Sequence, residues 1–231
     1  MPGTPTPGGP LSALGAVDRT TRREQILVKL RDAVSTGALA PGTHLAEIEL
    51  SESLGVSRGT LREALRHLQQ EGLLVSDTRG RLNVRVLTER EVREVFAVRS
   101  ALEALACEVV CAREDRADVV RALRRQLELM ADETSLPEMV NRDLEFHAML
   151  CRASGNETLL QSWLHVSGLA RAVITAAGVD AALANMAAQR HAPVVDLLER
   201  GDAEGVRRFL RSHMAEAAEQ IVTRLGEHAQ A

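Results

Sequence analysis

The sequence has few aromatic residues and no long apolar run. Aromatic residues make up 2% of the 231 residues, and tyrosine is absent. This scarcity argues against a protein that stacks single-stranded DNA or RNA bases on exposed rings. No stretch approaches the roughly 18 apolar residues of a membrane helix, and the first ten residues lack the pattern of a signal peptide. We therefore expect a soluble, cytoplasmic protein.

Cysteine is also scarce. The three cysteines, Cys107, Cys111 and Cys151, cannot all pair within one chain. They lie among apolar residues of predicted helices, where a reduced thiol behaves as a small hydrophobic group. The sequence therefore indicates buried free thiols rather than a disulfide framework.

The charged residues are distributed unevenly. The net charge is -4, but residues 19–88 contain 11 basic and 8 acidic residues, whereas residues 89–231 contain 17 and 23. Neutralising phosphates requires local positive charge, not a basic protein as a whole. This division fits a module that binds nucleic acid, followed by one that does not. Without aromatic platforms, double-stranded DNA is the expected partner.

Apolar periodicity and helix breakers divide the chain into three parts. Residues 1–18 are rich in proline, glycine and threonine, and we expect a disordered arm. Residues 19–88 are expected to form a winged helix-turn-helix, with helices at about 20–35, 46–53 and 58–71 and a β-hairpin with Gly80 at its tip. Residues 89–231 are expected to form an all-α bundle of six helices, at about 89–113, 116–133, 137–153, 156–177, 180–200 and 202–227. The predicted fold class is therefore mostly α.

The third helix and the hairpin carry residues suited to contact DNA. Ser57 can cap the helix, whose first residues would then reach base edges in the major groove. A glycine at the hairpin tip lets the backbone approach phosphates or the minor groove. A single amphipathic helix with arginines is more simply a solvated surface helix, but here the turn, the cap and the hairpin agree. The candidate DNA-binding residues are Arg58, Thr60, Arg62, Arg66, Arg79, Gly80 and Arg81.

The stretch LAEIELSESLGVSRGTLREALRHLQQEGLL, with TRGRLNV after it, resembles the DNA-binding domain of the GntR family of transcription regulators. The resemblance implies operator contact through Arg58, Thr60, Arg62 and Gly80, at positions that match the family motif. Some members have an arginine in the second helix where this chain has Ile48. That phosphate contact is therefore not carried over to this chain.

Four residues of the C-terminal part form a candidate metal site. Asp143 and His147 are four residues apart in one predicted helix, so both project from the same face. His191 and His213 lie on the last two predicted helices. If the bundle brings these faces together, one carboxylate and three imidazoles suit zinc, with nickel, manganese and iron as alternatives. The other interpretation is that each histidine is an ordinary core or surface residue.

A second resemblance bears on this choice. The segments EREVREVFAVRSALEALACEVV and DLEFHAML, with the stretch from His191 to His213, resemble the effector-binding FCD domain of the FadR subfamily, in its six-helix VanR-like branch. The resemblance implies that the aspartate and the three histidines hold a divalent ion and that Arg99 faces a small effector. Gln189, Arg190 and Pro193 depart from the family pattern around His191. Since Pro193 lies inside the fifth helix, that helix should kink or begin later.

These features predict a ligand-responsive bacterial transcription regulator. We expect a repressor that a small carboxylate releases from its operator by binding the metal and Arg99. One recognition helix reads only a few base pairs, so a homodimer on a near-palindromic operator is expected. The apolar faces of the first and fourth C-terminal helices, with Trp163 and Leu164, are candidates for the dimer interface, or else fill the bundle core.

Two other classes of function stay open. Three histidines and an aspartate could activate water in a metal-dependent enzyme. No further carboxylate lies at catalytic spacing beside them, and an enzyme would have no use for the DNA-binding module. A structural DNA-binding protein without a small ligand is the other alternative.

Overall fold

The computed structural model describes residues 22–35, 37–177 and 185–228. Residues 1–18, the predicted arm, and residues 180–184, the predicted start of the fifth C-terminal helix, lie outside the described residues. Within them the chain is mostly helical, with one small antiparallel sheet, which confirms the predicted fold class.

The N-terminal unit contains three helices and a hairpin: α1 (Arg22–Ser35), α2 (Glu47–Leu54), α3 (Arg58–Gln70), β1 (Leu74–Ser76) and β2 (Leu82–Val84). Helix α3 begins where the Ser57 hydroxyl accepts a hydrogen bond from the backbone N–H of Thr60, at 3.2 Å. It ends before Gly72, whose φ of 76° suits a residue without a β-carbon. The buried face of α3 consists of Leu61, Ala64, Leu65 and Leu68.

A third segment pairs with the sheet, and the sequence pattern does not predict it. The backbone N–H of Leu45 donates to the carbonyl of Leu82 at 2.8 Å, and the N–H of Val84 donates to the carbonyl of Thr43 at 2.9 Å. The chain before α2 therefore pairs with β2 on the side away from β1. This pairing is too short to leave an alternating pattern in the sequence.

The C-terminal unit consists of α4 (Glu89–Cys111), α5 (Arg116–Ala131), α6 (Leu136–Ala153), α7 (Glu157–Ala176), α8 (Ala188–Arg200) and α9 (Ala203–His228). Thr88 and Glu91 form a reciprocal capping box that starts α4. Helix α8 contains Pro193 and begins at Ala188, later than the predicted residue 180. Among the described residues, no helix has the length and apolarity needed to cross a membrane.

The two units share a continuous apolar core. One cluster of buried residues extends from Leu30 in α1 through Trp163 in α7 to Ile221 in α9. A second cluster fills the space among α4, α5, α6, α8 and α9. The units are in tight contact at Gly168 of α7, where an added β-carbon would lie 1.8 Å from the carbonyl oxygen of Glu71. The end of α3 is therefore seated directly against α7.

The structure distinguishes the two uses considered for Trp163 and Leu164. Trp163 is 1% exposed and belongs to the core, whereas Leu164 is 44% exposed. Trp163 therefore cannot form part of an exposed dimer face. The three cysteines are buried and unpaired, as the sequence indicates.

Candidate functional site

The four residues of the candidate metal site converge inside the helical unit. Asp143 and His147 lie one turn apart on α6, His191 on α8 and His213 on α9, and all four are buried. Nε2 of His191 lies 3.1 Å from Oδ1 of Asp143 and 3.2 Å from Nε2 of His147. One ring nitrogen from each of the three histidines falls within 4.8 Å of the other two. The cluster has the size of a metal coordination shell.

The electrostatics of the cluster favour the protonation states that bind metals. Burial lowers the pKa of His147, and burial together with His191 and His147 lowers that of His213 to about 2. Burial alone would raise the pKa of Asp143, but the hydrogen bond from His191 and the surrounding charges lower it. Neutral imidazoles and an ionised carboxylate are the ligand forms. The donor set therefore fits a divalent ion.

The unusual residues around His191 do not move it out of the cluster. Its side chain is fully buried, and its Nδ1 lies 3.1 Å from the carbonyl oxygen of Ala187. Its ring packs edge-on against Phe146, with the ring centroids 5.1 Å apart. Gln189, Arg190 and Pro193 therefore leave this side chain where the sequence pattern expects it.

Arg99 lies beside the cluster with unused hydrogen-bonding capacity. It is 1% exposed, and its guanidinium lies 5.4 Å from the centroid of the Phe96 ring. Among the described residues, its Nη2 and both polar atoms of the buried Asn185 side chain have no hydrogen-bond partner. These groups, with Asp143 and His147, line a small cavity of about 20 Å³. Buried donors and acceptors are normally satisfied, so these atoms can form hydrogen bonds with a polar group that enters this place.

Sequence reasoning missed a buried carboxylate at the centre of this region. Glu103, on α4, is fully buried, and its pKa is about 2. Burial alone would raise that pKa, but the positive charge of Arg99 and the hydrogen bonds from His147 and Trp163 stabilise the ionised form and lower it. The i,i+4 spacing of Arg99 and Glu103 was the only available signal in the sequence. Asn185 was also missed, and it carries no such signal.

The first turns of α3 present the predicted DNA-binding side chains to solvent. Arg58, Arg62 and Arg66 are all exposed. Nε of Arg62 lies 2.6 Å from Oε2 of Glu47 on α2, so this arginine is already paired. The Thr60 hydroxyl lies 2.8 Å from that of Ser57 and takes part in the helix cap. No side-chain hydrogen bond or ion pair is found for Arg58 or Arg66 within the part of the chain that the structure describes.

The tip of the hairpin is organised by Asp77, which sequence reasoning did not single out. Its Oδ1 accepts the backbone N–H groups of Arg79 and Arg81, both at 2.9 Å, and its Oδ2 lies 2.8 Å from Nε of Arg81. These hydrogen bonds, the backbone one from Arg81 first among them, lower the pKa of Asp77. Gly80 has a φ of 74° and open space around it. The turn thus holds Arg79, Gly80 and Arg81 at an exposed tip.

Comparison with known families assigns both units. Residues 22–84 match the family described as "Bacterial regulatory proteins, gntR family", and residues 94–216 match the FCD domain. The chain is similar to a protein of Paenarthrobacter nicotinovorans named "Probable D-xylose utilization operon transcriptional repressor", with 31% identity over 85% of this chain and 87% of that protein. It is also similar to the Nta operon transcriptional regulator of Aminobacter aminovorans, with 30% identity over 79% of this chain and 86% of that protein.

A solved structure shows the same fold. A GntR transcriptional regulator from Rhodococcus sp. RHA1 superposes with a TM-score of 0.71 at 24% identity, over 88% of this chain and 99% of that one. A match over 88% of this chain extends over residues of both units.

Proposed function

This chain belongs to the GntR family of bacterial regulatory proteins and carries an FCD domain, and from that membership we propose that it is a repressor which a small organic acid releases from its operator. The chain is a DNA-binding transcription regulator, as the sequence predicts. The proposal adds that the acid binds at a divalent ion, zinc foremost, held by Asp143, His147, His191 and His213. It acts where operator DNA is, in the cytoplasm, and as a homodimer.

The observation that carries the proposal is the convergence of these four buried ligands next to Arg99. A divalent ion bound there supplies coordination positions that a carboxylate can occupy. The Nη2 of Arg99, which has no partner among the described residues, can donate to the same carboxylate, and the Asn185 amide can donate to or accept from the rest of the acid. Arg99 thus provides a positive charge for the carboxylate of the acid, and Asn185 provides hydrogen bonds that orient the rest of the acid.

The size of the cavity indicates how binding can affect the DNA-binding unit. A volume of about 20 Å³ holds one water-sized group. An organic acid therefore needs neighbouring side chains, such as Asn185 and Met186, to move. Helix α7 packs against both the cavity region and the end of α3. Such a movement can therefore change how α3, the recognition helix, packs against α7. Release follows only if the acid binds one arrangement more tightly than the other.

The proposal is tested by measuring DNA release directly. A labelled duplex is first selected from a random library by binding to the full-length protein. Its affinity is then measured by fluorescence anisotropy with chelator-treated protein and with zinc-loaded protein, each against a panel of small mono-, di- and tricarboxylic acids. We expect one class of acid to weaken binding on the order of tenfold or more, with zinc-loaded protein only.

The other outcomes of this titration favour the competing classes of function. Chemical conversion of the acid, detected by mass spectrometry, would indicate an enzyme. Duplex affinity that no acid changes, with or without zinc, would indicate a structural DNA-binding protein. Either result contradicts the proposal.

An exposed apolar face of α4 supports the homodimer. Val98, Leu105 and Val109 are 47%, 47% and 37% exposed on this helix, beside a groove of about 540 Å³ between α4 and α9. Arg93 pairs with Glu219 at one end of the groove, with Nε and Oε1 2.7 Å apart. The other end carries the opposite pair, Glu108 on α4 and Arg207 on α9. Each end of the groove therefore carries one positive and one negative side chain. In a two-fold dimer, the same surface of each copy meets the other, so charges of opposite sign can face each other across the interface.

We predict that Leu105→Glu converts the dimer to a monomer at micromolar concentration. The two-fold axis would bring two carboxylates into one apolar interface, where unpaired charge is strongly unfavourable. Light scattering coupled to gel filtration distinguishes the 25.1 kDa chain from a species of twice that mass. Leu129→Glu on α5 is the matched control, and Leu164→Glu tests the α7 face. A dimer that survives Leu105→Glu but not Leu164→Glu would move the interface to α7.

A further inference from the structure

Glu103 receives hydrogen bonds from three side chains that serve different parts of the molecule. Its Oε2 lies 2.6 Å from Nδ1 of His147 on α6. Its Oε1 accepts from Nε1 of Trp163 on α7 at 2.8 Å and from Nε of Arg99 at 3.2 Å. All four side chains are buried, so water does not compete for these bonds. One carboxylate therefore connects a candidate metal ligand, a candidate effector-binding residue and the helix that contacts α3.

The bond to His147 determines which ring nitrogen faces the cluster. An ionised carboxylate can only accept, so Nδ1 of His147 must carry the proton. Nε2 then keeps its lone pair, and Nε2 is the atom that lies 3.2 Å from Nε2 of His191 and 3.9 Å from Oδ1 of Asp143. In metal sites, such a carboxylate behind a histidine fixes the tautomer and the ring direction.

The bond to Arg99 determines which edge of the guanidinium remains available. Glu103 takes Nε, while Nη2 has no partner among the described residues and Arg99 lines the cavity. The same carboxylate thereby holds the planar guanidinium in one orientation. An effector carboxylate would meet a donor that is already in place.

The bond to Trp163 connects this region with the N-terminal unit. Trp163 is the only tryptophan of the chain. Five residues later on the same helix, Gly168 lies against the carbonyl of Glu71, directly after α3. If His147 moves, Glu103 moves with it and pulls on Trp163 of α7. Trp163 lies close to the place where α7 contacts the end of α3.

We propose that Glu103 is a positioning residue that fixes the directions of His147 and Arg99 and transmits occupancy of the histidine cluster to α7 through Trp163. This inference rests on the metal site of the proposed function and deepens it. It also implies that the emission of Trp163 reports metal binding, because the partner of its indole N–H moves with the ligand.

The test uses Glu103→Gln in the full-length protein. An amide accepts through only one of its two terminal atoms, so glutamine cannot serve His147 on one side and Arg99 with Trp163 on the other. If its NH₂ faces Nδ1 of His147, the ring proton moves to Nε2 and blocks the metal-binding lone pair. Chelator-treated protein is titrated with Co²⁺, whose visible absorption reports the coordination geometry, and with Zn²⁺ in competition with a chromophoric chelator. We expect affinity to fall roughly 10- to 100-fold and the Co²⁺ spectrum to change.

Two controls show whether Glu103→Gln unfolds the protein or only changes the positions of His147 and Arg99. Glu94→Gln, at an exposed position of α4, should bind both ions like the wild type. The second is a measurement on the wild type, which needs no substitution: Zn²⁺ should change the emission of Trp163 in proportion to occupancy. Circular dichroism of each metal-free variant shows whether the helices are intact.

The outcomes separate this inference from the proposed function. A wild type that binds neither ion overturns the metal site and the positioning role together. A wild type that binds Zn²⁺ with no change in Trp163 emission overturns the transmission. A folded Glu103→Gln variant with wild-type affinity and an unchanged Co²⁺ spectrum overturns the positioning role and leaves the metal site standing.

Discussion

His191→Ala will remove most of the stability that the protein gains from zinc. His191 is the central member of the cluster, since its Nε2 lies within 3.2 Å of both Asp143 and His147. Zinc at about 100 times its dissociation constant stabilises the folded protein by about 2.7 kcal/mol. If losing this ligand weakens zinc binding about 100-fold, the same zinc concentration contributes only about 0.4 kcal/mol.

The measurement is the difference in melting temperature with and without zinc, taken separately for each variant. For a chain of this size, about 2.7 kcal/mol corresponds to about 5 to 11 °C. Comparing the two increments removes the effect of the cavity that alanine leaves in the zinc-free protein. His165→Ala, at an exposed position of α7, is the matched control and should keep the full increment. A His191→Ala variant that also keeps it would show that zinc does not bind at this cluster.

The N-terminal unit was predictable because its signals are local. Ser57 as a cap, Gly72 after the end of α3 and Gly80 at the tip of the hairpin each act on neighbours within a few positions. The helix bounds observed for this unit agree with the predicted ones within two residues. The pairing of Thr43 with Val84 was not predicted, because it joins distant segments and involves too few residues to leave a pattern.

The candidate metal site was predictable for a different reason. The spacing of Asp143 and His147 places them on one helix face, but nothing local connects them with His191 or His213. That step came from the family resemblance. The structure supplies the physical connection, because α6, α8 and α9 bring the three histidine side chains together in one buried cluster.

Glu103 and Trp163 show what a periodic pattern cannot reveal. Both lie on amphipathic helices, and the apolar pattern of such a helix is the same whether its apolar face packs in the core or against a partner protein. Only the packing of α4 against α7 shows that the indole N–H of Trp163 is satisfied by Glu103 inside the bundle. A buried polar pair formed by residues far apart in the sequence requires the tertiary structure to be recognised.

Arg58→Ala will cause the largest loss of operator affinity among the exposed arginines of α3. Arg58 is the first residue of that helix, where side chains reach base edges, and it has no intramolecular pair among the described residues. A bidentate contact from arginine to guanine contributes about 1–3 kcal/mol, so the two copies in a dimer contribute about 2–6 kcal/mol. This corresponds to a loss of about 30-fold to about 20,000-fold. Arg62→Ala should cost less, because Arg62 must leave Glu47 before it can contact DNA.

The salt dependence of DNA binding by Arg58→Ala shows whether Arg58 contacts a base or a phosphate. Anisotropy titrations with the selected duplex and a scrambled duplex, at several salt concentrations, measure both. If Arg58 contacts a base, its loss weakens the selected duplex far more than the scrambled one and leaves the salt slope nearly unchanged. Equal weakening of both duplexes with a shallower slope would make Arg58 a phosphate contact instead. Arg90→Ala removes an arginine from an exposed position of α4 and should change neither quantity, because α4 lies outside the DNA-binding unit.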